Sequence, residues 1–162
     1  MRQTLTIATA SINTTPLDLD GNLALIRAAV ASAVQQQADL LLLPELVLTG
    51  YGCEDMFFSA DWIETIPDYL NQLAESLPPS LMVAVGFPLL ITGGQVFNAV
   101  ALLSQYQIHG VVCKQHLARN GIHYEPRWFT PWPAGEVMTL DLAGQTVPVG
   151  DIVFEVEGIR LG

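Results

Sequence analysis

Basic residues are scarce in this chain. Six Lys and Arg stand against 16 Asp and Glu in 162 residues, for a net charge of −10 and a pI near 4.4. Binding a phosphate backbone requires a cationic stripe that displaces counterions, so no nucleic-acid partner is expected. Charged residues of both signs make up only 14% of the chain, against about 25% in an ordinary soluble protein. With 51% hydrophobic residues, that composition excludes disorder and demands apolar positions between layers. The two cysteines, Cys53 and Cys113, make neither a disulfide framework nor a Cys-x-x-Cys pair. His109, His116 and His123 recur every seven residues, which is not ligand spacing on one turn, so no metal site is expected. Long apolar runs are missing too. Nothing reaches the ~18 residues that a membrane helix needs, and MRQTLTIATAS lacks the apolar core of a signal peptide. The expected setting is the cytoplasm, with no membrane association.

What is present reads as one α/β unit. Thr4–Ala10 alternates as a strand. Asp18 and Asp20 offer N-caps to a helix reaching about Gln37, with Leu23, Ile26, Val30, Ala33 and Val34 on one stripe. Asp39–Pro44 is a short continuous apolar run of the kind found in strands covered on both faces. Asp61–Leu77 repeats the helical pattern, turning Trp62, Ile66, Leu70, Leu73 and Leu77 inward, and Phe57-Phe58 is expected to anchor it. Leu81–Phe87 is a third buried strand, closed by Pro88. Strand–helix–strand–helix–strand predicts a parallel core. Gly93-Gly94 then marks a hairpin between Leu81–Leu90 and Val96–Leu103, and a second turn leads into Gln107–Lys114. Gln115–Gly135 is a long aromatic loop; its Trp128, Phe129 and Trp132 are expected to pack it onto the sheet. Short strands follow at Val137–Leu142, Gln145–Val149, Ile152–Val156 and from Ile159 on. The last of these stops at its opening, which predicts a fragment of a longer protein.

Three charged residues carry the chemistry. Lys114 is the only lysine and ends an apolar strand, where an ammonium is costly without a carboxylate beside it. By itself it also reads as a side chain reaching solvent. Glu45 follows the Leu40–Leu43 run, and by itself it reads as a loop or helix cap. Taken together they point to a site, because functional groups collect beyond the carboxyl ends of strands in open α/β sheets. Glu125, eleven positions after Lys114, would complete a Glu–Lys–Glu cluster. Such a cluster holds the lysine charged and leaves one carboxylate to move a proton.

Pro44-Glu45-Leu46-Val47-Leu48-Thr49-Gly50-Tyr51 with Glu54-Asp55-Met56-Phe57, and Lys114-Gln115-His116-Leu117 with Tyr124-Glu125-Pro126-Arg127-Trp128-Phe129, resemble the nitrilase (carbon–nitrogen hydrolase) superfamily. They are most similar to its branch of glutaminase domains at the N-terminus of glutamine-dependent NAD synthetases. Phe97-Asn98-Ala99 matches the segment before the lysine strand. The segment Leu117–His123 departs from the family pattern, which puts pocket shape and loop path in question but not the lysine.

The resemblance implies a nitrilase-like α-β-β-α sandwich with mixed sheets, present only as its N-terminal portion. Residues 1–162 would form an incomplete glutaminase domain, with the synthetase domain outside this chain. It further implies Glu45 as general base, Lys114 as the oxyanion's stabiliser, Glu125 as accessory carboxylate and Tyr51 as a lining residue of the glutamine pocket. The family's nucleophile is a cysteine for which Arg160-Leu161-Gly162 resembles the lead-in, so it is expected a few residues further on. Cys53-Glu54-Asp55 only mimics the nucleophile's text. Cys113, adjacent to Lys114 on a strand, faces the opposite side as a packed thiol.

The implied activity is glutamine hydrolysis supplying ammonia for ATP-dependent amidation of nicotinic acid adenine dinucleotide to NAD, by a homo-oligomer. No cofactor is implied in this domain; ATP and Mg belong to the synthetase domain. This chain alone is expected to be inactive and to self-associate. The alternatives are a free-standing amidase on another small amide and a non-catalytic interaction domain on the same scaffold.

Overall fold

A computed structural model describes residues 4–122, 124–156 and 158–162; His123 and Glu157, with the expectations placed on them, lie outside the described residues. The chain runs β1 (Ile7–Thr9), α1 (Leu19–Gln35), β2 (Leu40–Leu42), a 3-10 segment (Tyr51–Phe58), α2 (Ala60–Ile63), α3 (Ile66–Ser76), β3 (Met82–Leu90), β4 (Val96–Ser104), β5 (Gln107–Cys113), α4 (Glu125–Trp128), β6 (Val137–Leu142), β7 (Gln145–Gly150), β8 (Phe154–Val156) and β9 (Ile159–Leu161).

Seven strands form one sheet in the order β1-β2-β3-β4-β5-β7-β6, and β8-β9 make a separate hairpin. The predicted parallel core is β1, β2 and β3, aligned Ile7–Leu40–Met82 to Thr9–Leu42–Ala84. From β3 to β5 the sheet turns antiparallel, through two hairpins, and β5 pairs β7 in parallel, so the sheet is mixed.

Alternation along each strand sorts the two faces. Phe97, Ala99, Ala101 and Leu103 of β4 and Val111 and Cys113 of β5 join one buried cluster with Leu23, Ile26, Leu70 and Leu73 from the helices. Each such fully buried Leu, Ile or Phe contributes roughly 1.5–3 kcal/mol. On the opposite face Leu40 is buried while Ile7, Leu42 and Val100 remain exposed, so β2 is covered on the helix side and only in part on the other, less than its apolar run predicts. The Asp18 carboxylate caps α1 by accepting from the Gly21 N–H at 2.9 Å.

The structure corrects several expectations. The helix over Asp61–Leu77 is two helices, α2 and α3, broken at Glu64 and Thr65. Pro67 sits in the first turn of α3; it has no N–H to give the Ile63 carbonyl, so a continuous helix would lose a bond there. Trp62 is only half-buried. Val34 lies on the exposed shoulder of α1, and Phe58 is 58% exposed while Phe57 alone anchors the core. β3 does not close at Pro88 but runs on to Leu90, the end that the hairpin reading expects. Ala84 and Gly86 share Pro88's side of the strand, and their carbonyls accept from Leu43 and Leu48. By Pro88 the β2 neighbour has turned away, and the missing N–H costs nothing at that free edge. The loop 115–135 contains the helical turn α4, which its low periodicity hid.

Candidate active site

Glu45 stands where β2 leaves the sheet. The chain turns sharply after Pro44, with Leu46 at φ 49°, and the Leu46 carbonyl accepts from the N–H groups of Thr49 (3.2 Å) and Gly50 (2.8 Å). Leu46, Val47 and Leu48 are wholly buried, so the turn is pinned from below and Glu45 is held at its rim. The buried Asn22 of α1 adds a polar tie, donating to Leu48 O at 3.1 Å and to Thr15 O at 2.8 Å.

Lys114 follows β5 directly. Its N–H donates to the Asn98 carbonyl on β4 at 2.8 Å, which fixes the backbone from which the side chain reaches out. Glu125 opens α4 and is almost fully buried, at 1% exposure. Three independent segments therefore converge. The Lys114 ammonium donates to Glu45 Oε1 at 2.5 Å and to Glu125 Oε1 at 2.9 Å. The Tyr51 hydroxyl donates to Glu125 Oε1 at 3.0 Å and the Ala118 N–H to Glu125 Oε2 at 2.7 Å. The Asn98 side-chain amide donates to Glu45 Oε1 at 2.6 Å.

The electrostatics follow from these contacts. Burial alone raises the Glu125 carboxyl, but the Ala118 N–H, the Lys114 ammonium and the Tyr51 hydroxyl outweigh it and hold it below the ordinary carboxylate value. Burial pulls Lys114 down, and its bonds to Glu45 and Glu125 more than offset this, leaving it raised. The Tyr51 hydroxyl is pushed up by burial, by its bond to Glu125 and by the charges of Glu125 and Glu45. The cluster thus keeps one fixed cation between two acids, one nearly buried and one reaching water at 41% exposure.

All four residues singled out from the sequence, Glu45, Lys114, Glu125 and Tyr51, meet here. The neighbouring Asp55, Arg127 and Trp128 were not singled out as a group. Arg127 grips both oxygens of Asp55 at 2.9 Å, and the Trp128 indole N–H donates to Asp55 at 3.1 Å, joining α4 to the 3-10 segment that carries Tyr51. The signal was an acid and a base in the two quoted blocks, but nothing local pairs residues 72 positions apart. Trp128 and Phe129 pack against Phe57, and Trp132 against Phe97, so the aromatic loop is seated on the core. Among the described residues no group of three His, Cys, Asp or Glu could hold a metal ion, and no helix is long and apolar enough to cross a membrane.

Neither cysteine donates to the cluster. Cys53 points its thiol at the Thr49 and Gly50 carbonyls, at 3.0 and 3.2 Å, and burial raises it. Cys113 lies in the core on the helix side of β5, where burial pushes its thiol up to about 12. Both thiols are therefore expected to react with an aromatic disulfide reagent at about pH 8 at least roughly a hundredfold more slowly in the folded chain than in urea. A fast-reacting native thiol, followed by absorbance, would contradict that placement.

Residues 6–162 match the family described as carbon–nitrogen hydrolase. The chain belongs to the carbon–nitrogen hydrolase family. Among the members of known structure, a glutamine-dependent NAD(+) synthetase from Cytophaga hutchinsonii superposes with a TM-score of 0.92 at 37% identity, over 99% of this chain and 27% of that one. The glutamine-dependent NAD(+) synthetase of Homo sapiens is 32% identical over 95% of this chain and 23% of its own length. That of Arabidopsis thaliana is 33% identical over 82% and 18%. This carbon–nitrogen hydrolase chain thus spans roughly a quarter or less of the length of the relatives it matches.

Proposed function

We propose that this chain is the part of a glutamine-dependent NAD synthetase that carries the acid–base machinery of its glutaminase site. Supporting this reading above all is the convergence of Glu45, Lys114 and Glu125, with a single ammonium shared by two carboxylates at 2.5 and 2.9 Å. Glu45 acts as general base and Lys114 as the cationic donor to the oxyanion; Glu125 holds Lys114, and Tyr51 lines the glutamine pocket.

In the proposed reaction a cysteine thiolate from elsewhere in the polypeptide attacks the carboxamide carbon of L-glutamine. Glu45 takes the thiol proton and returns it to the departing nitrogen, releasing ammonia. Lys114 Nζ faces the charge that develops on the carbonyl oxygen, where it lowers the barrier most. Water then hydrolyses the thioester to glutamate, with Glu45 as base again. Ammonia passes to a synthetase domain that uses ATP and Mg to amidate nicotinic acid adenine dinucleotide. Residues 1–162 are one incomplete domain of a cytoplasmic homo-oligomer.

Glutamate release from L-glutamine tests the reading. In a polypeptide extended to include the nucleophile, Glu45→Gln is expected to lower kcat at least roughly a thousandfold, and the 162-residue chain alone to release none. Faster hydrolysis of an unrelated small amide, or full activity in Glu45→Gln, would overturn it.

A further inference from the structure

Among the described residues Asn98 is the one side-chain amide that touches the cluster, and it is buried, with 3% exposure. It lies on β4 opposite Pro88 of β3, on the face away from the helices. Its backbone and side chain act on different partners. The carbonyl accepts from the Lys114 N–H at 2.8 Å, and the Nδ2 donates to Glu45 Oε1 at 2.6 Å. Lys114 Nζ donates to that same oxygen. Both of these hydrogen bonds to the Glu45 carboxylate therefore fall on Oε1, and Oε2 is the oxygen left to bind a proton.

We propose that Asn98 is a positioning residue that commits Glu45 Oε1 to the scaffold and so presents Oε2 as the proton-accepting oxygen. A carboxylate on a flexible side chain that is 41% exposed can rotate either oxygen toward a substrate. With one oxygen held by two donors, rotation would break both bonds. Lysine alone cannot impose this orientation: its ammonium sits on a long stem with three freely rotating donors and is tethered also to Glu125 at 2.9 Å, so without Asn98 the Glu45 carboxylate swings away from it. Asn98 has a short side chain on a central strand, buried and fixed in register, so its amide supplies the direction. The role as an aid to catalysis rests on Glu45 being the general base; the orientation of Glu45 does not.

The test uses Lys114 as reporter. It is the only lysine, so amine acylation followed by peptide mapping reads it apart from the N-terminal amine in the chain as it stands. If Asn98 holds Glu45 against Lys114, Asn98→Ala frees the ammonium, and its acylation at about pH 9 rises roughly fivefold. Glu45→Ala raises it at least as much, and the double variant is no faster than Glu45→Ala alone. Independent, multiplying effects, or no change in Asn98→Ala, would overturn the proposal.

Asn98→Asp guards against an unfolded Ala variant. It keeps the shape, but at about pH 9 it is an ionised carboxylate that cannot donate to Glu45 and repels it, so Glu45 is released and the Lys114 acylation rate departs from the parent's; a parent-like rate would count against the proposal. In an extended polypeptide that hydrolyses glutamine, Asn98→Ala is expected to lower kcat at least roughly tenfold with KM unchanged. Lys114 acylation responding as stated, with no amide hydrolysis by the polypeptide extended to include the nucleophile, would sink the general-base reading and leave the orienting role standing.

Discussion

Lys114→Met is expected to lower the unfolding free energy of the chain at neutral pH by about 3 kcal/mol, because it strands a buried carboxylate without its cation. Glu125 is the group concerned, at 1% exposure and 2.9 Å from Nζ. The remaining Ala118 and Tyr51 donors then stand against the whole cost of burial. Lys114 is itself 31% exposed, which keeps the loss at the lower end of what breaking a fully buried pair costs.

The pH dependence has a definite sign. Glu125 is depressed below its ordinary 4.5, so its contribution is present above that value and fades as pH falls through the folded one. Lys114 is raised above 10.5, so its contribution is complete below that value and is lost as pH rises through the folded one. The difference between parent and variant is therefore largest between about pH 5 and about pH 10 and shrinks in acid, where Glu125 takes up a proton in both. Urea unfolding at about pH 7 and about pH 3 measures it. An equal loss at both values would mean that the methionine side chain merely packs badly. On the glutaminase function proposed above, the same substitution in an extended polypeptide is expected to cost at least roughly a thousandfold in rate, from losing the proposed oxyanion donor and releasing the proposed base.

Gly86→Ala is expected to do comparable harm from a residue with no chemistry of its own. A Cβ there would stand 2.5 Å from Leu46 N, 2.8 Å from Pro44 O and 3.1 Å from Glu45 C. These are backbone atoms of the turn that carries Glu45, and that turn cannot sink, since Leu46, Val47 and Leu48 already fill the space beneath it. The methyl must push the turn off β3, weakening the bond from Leu48 N–H to Gly86 O, which spans 3.3 Å. A stability loss of about 2–3 kcal/mol is expected from overpacking and, on the proposed function, at least roughly a hundredfold loss of glutaminase rate in the extended polypeptide from moving the proposed base by about 1 Å. Gly52→Ala is the control. Its Cβ would meet only Pro16 at 3.4 Å, an ordinary contact, so stability and rate should both stay near the parent's. Unfolding curves and steady-state rates for the two variants decide the matter; equal behaviour would refute the role given to Gly86.

The amino-acid sequence by itself determined the α/β alternation, the parallel order of the first three strands and the candidate residues Glu45, Lys114 and Glu125. These rest on local signals: continuous apolar runs, helical stripes, and charges rare enough in this composition that one lysine at a strand end stands out. Such signals do not reach across the chain. Pro67 splitting a helix, β3 running through Pro88, and Phe58 turning outward all depend on neighbours far away in sequence. Only the tertiary structure brought Asn98 within 2.6 Å of Glu45, paired Asp55 with Arg127, and left no room for a side chain at residue 86. Hydrogen bonds and steric contacts act over a few ångströms, and the residues that share them here are separated by about 40 to 72 positions.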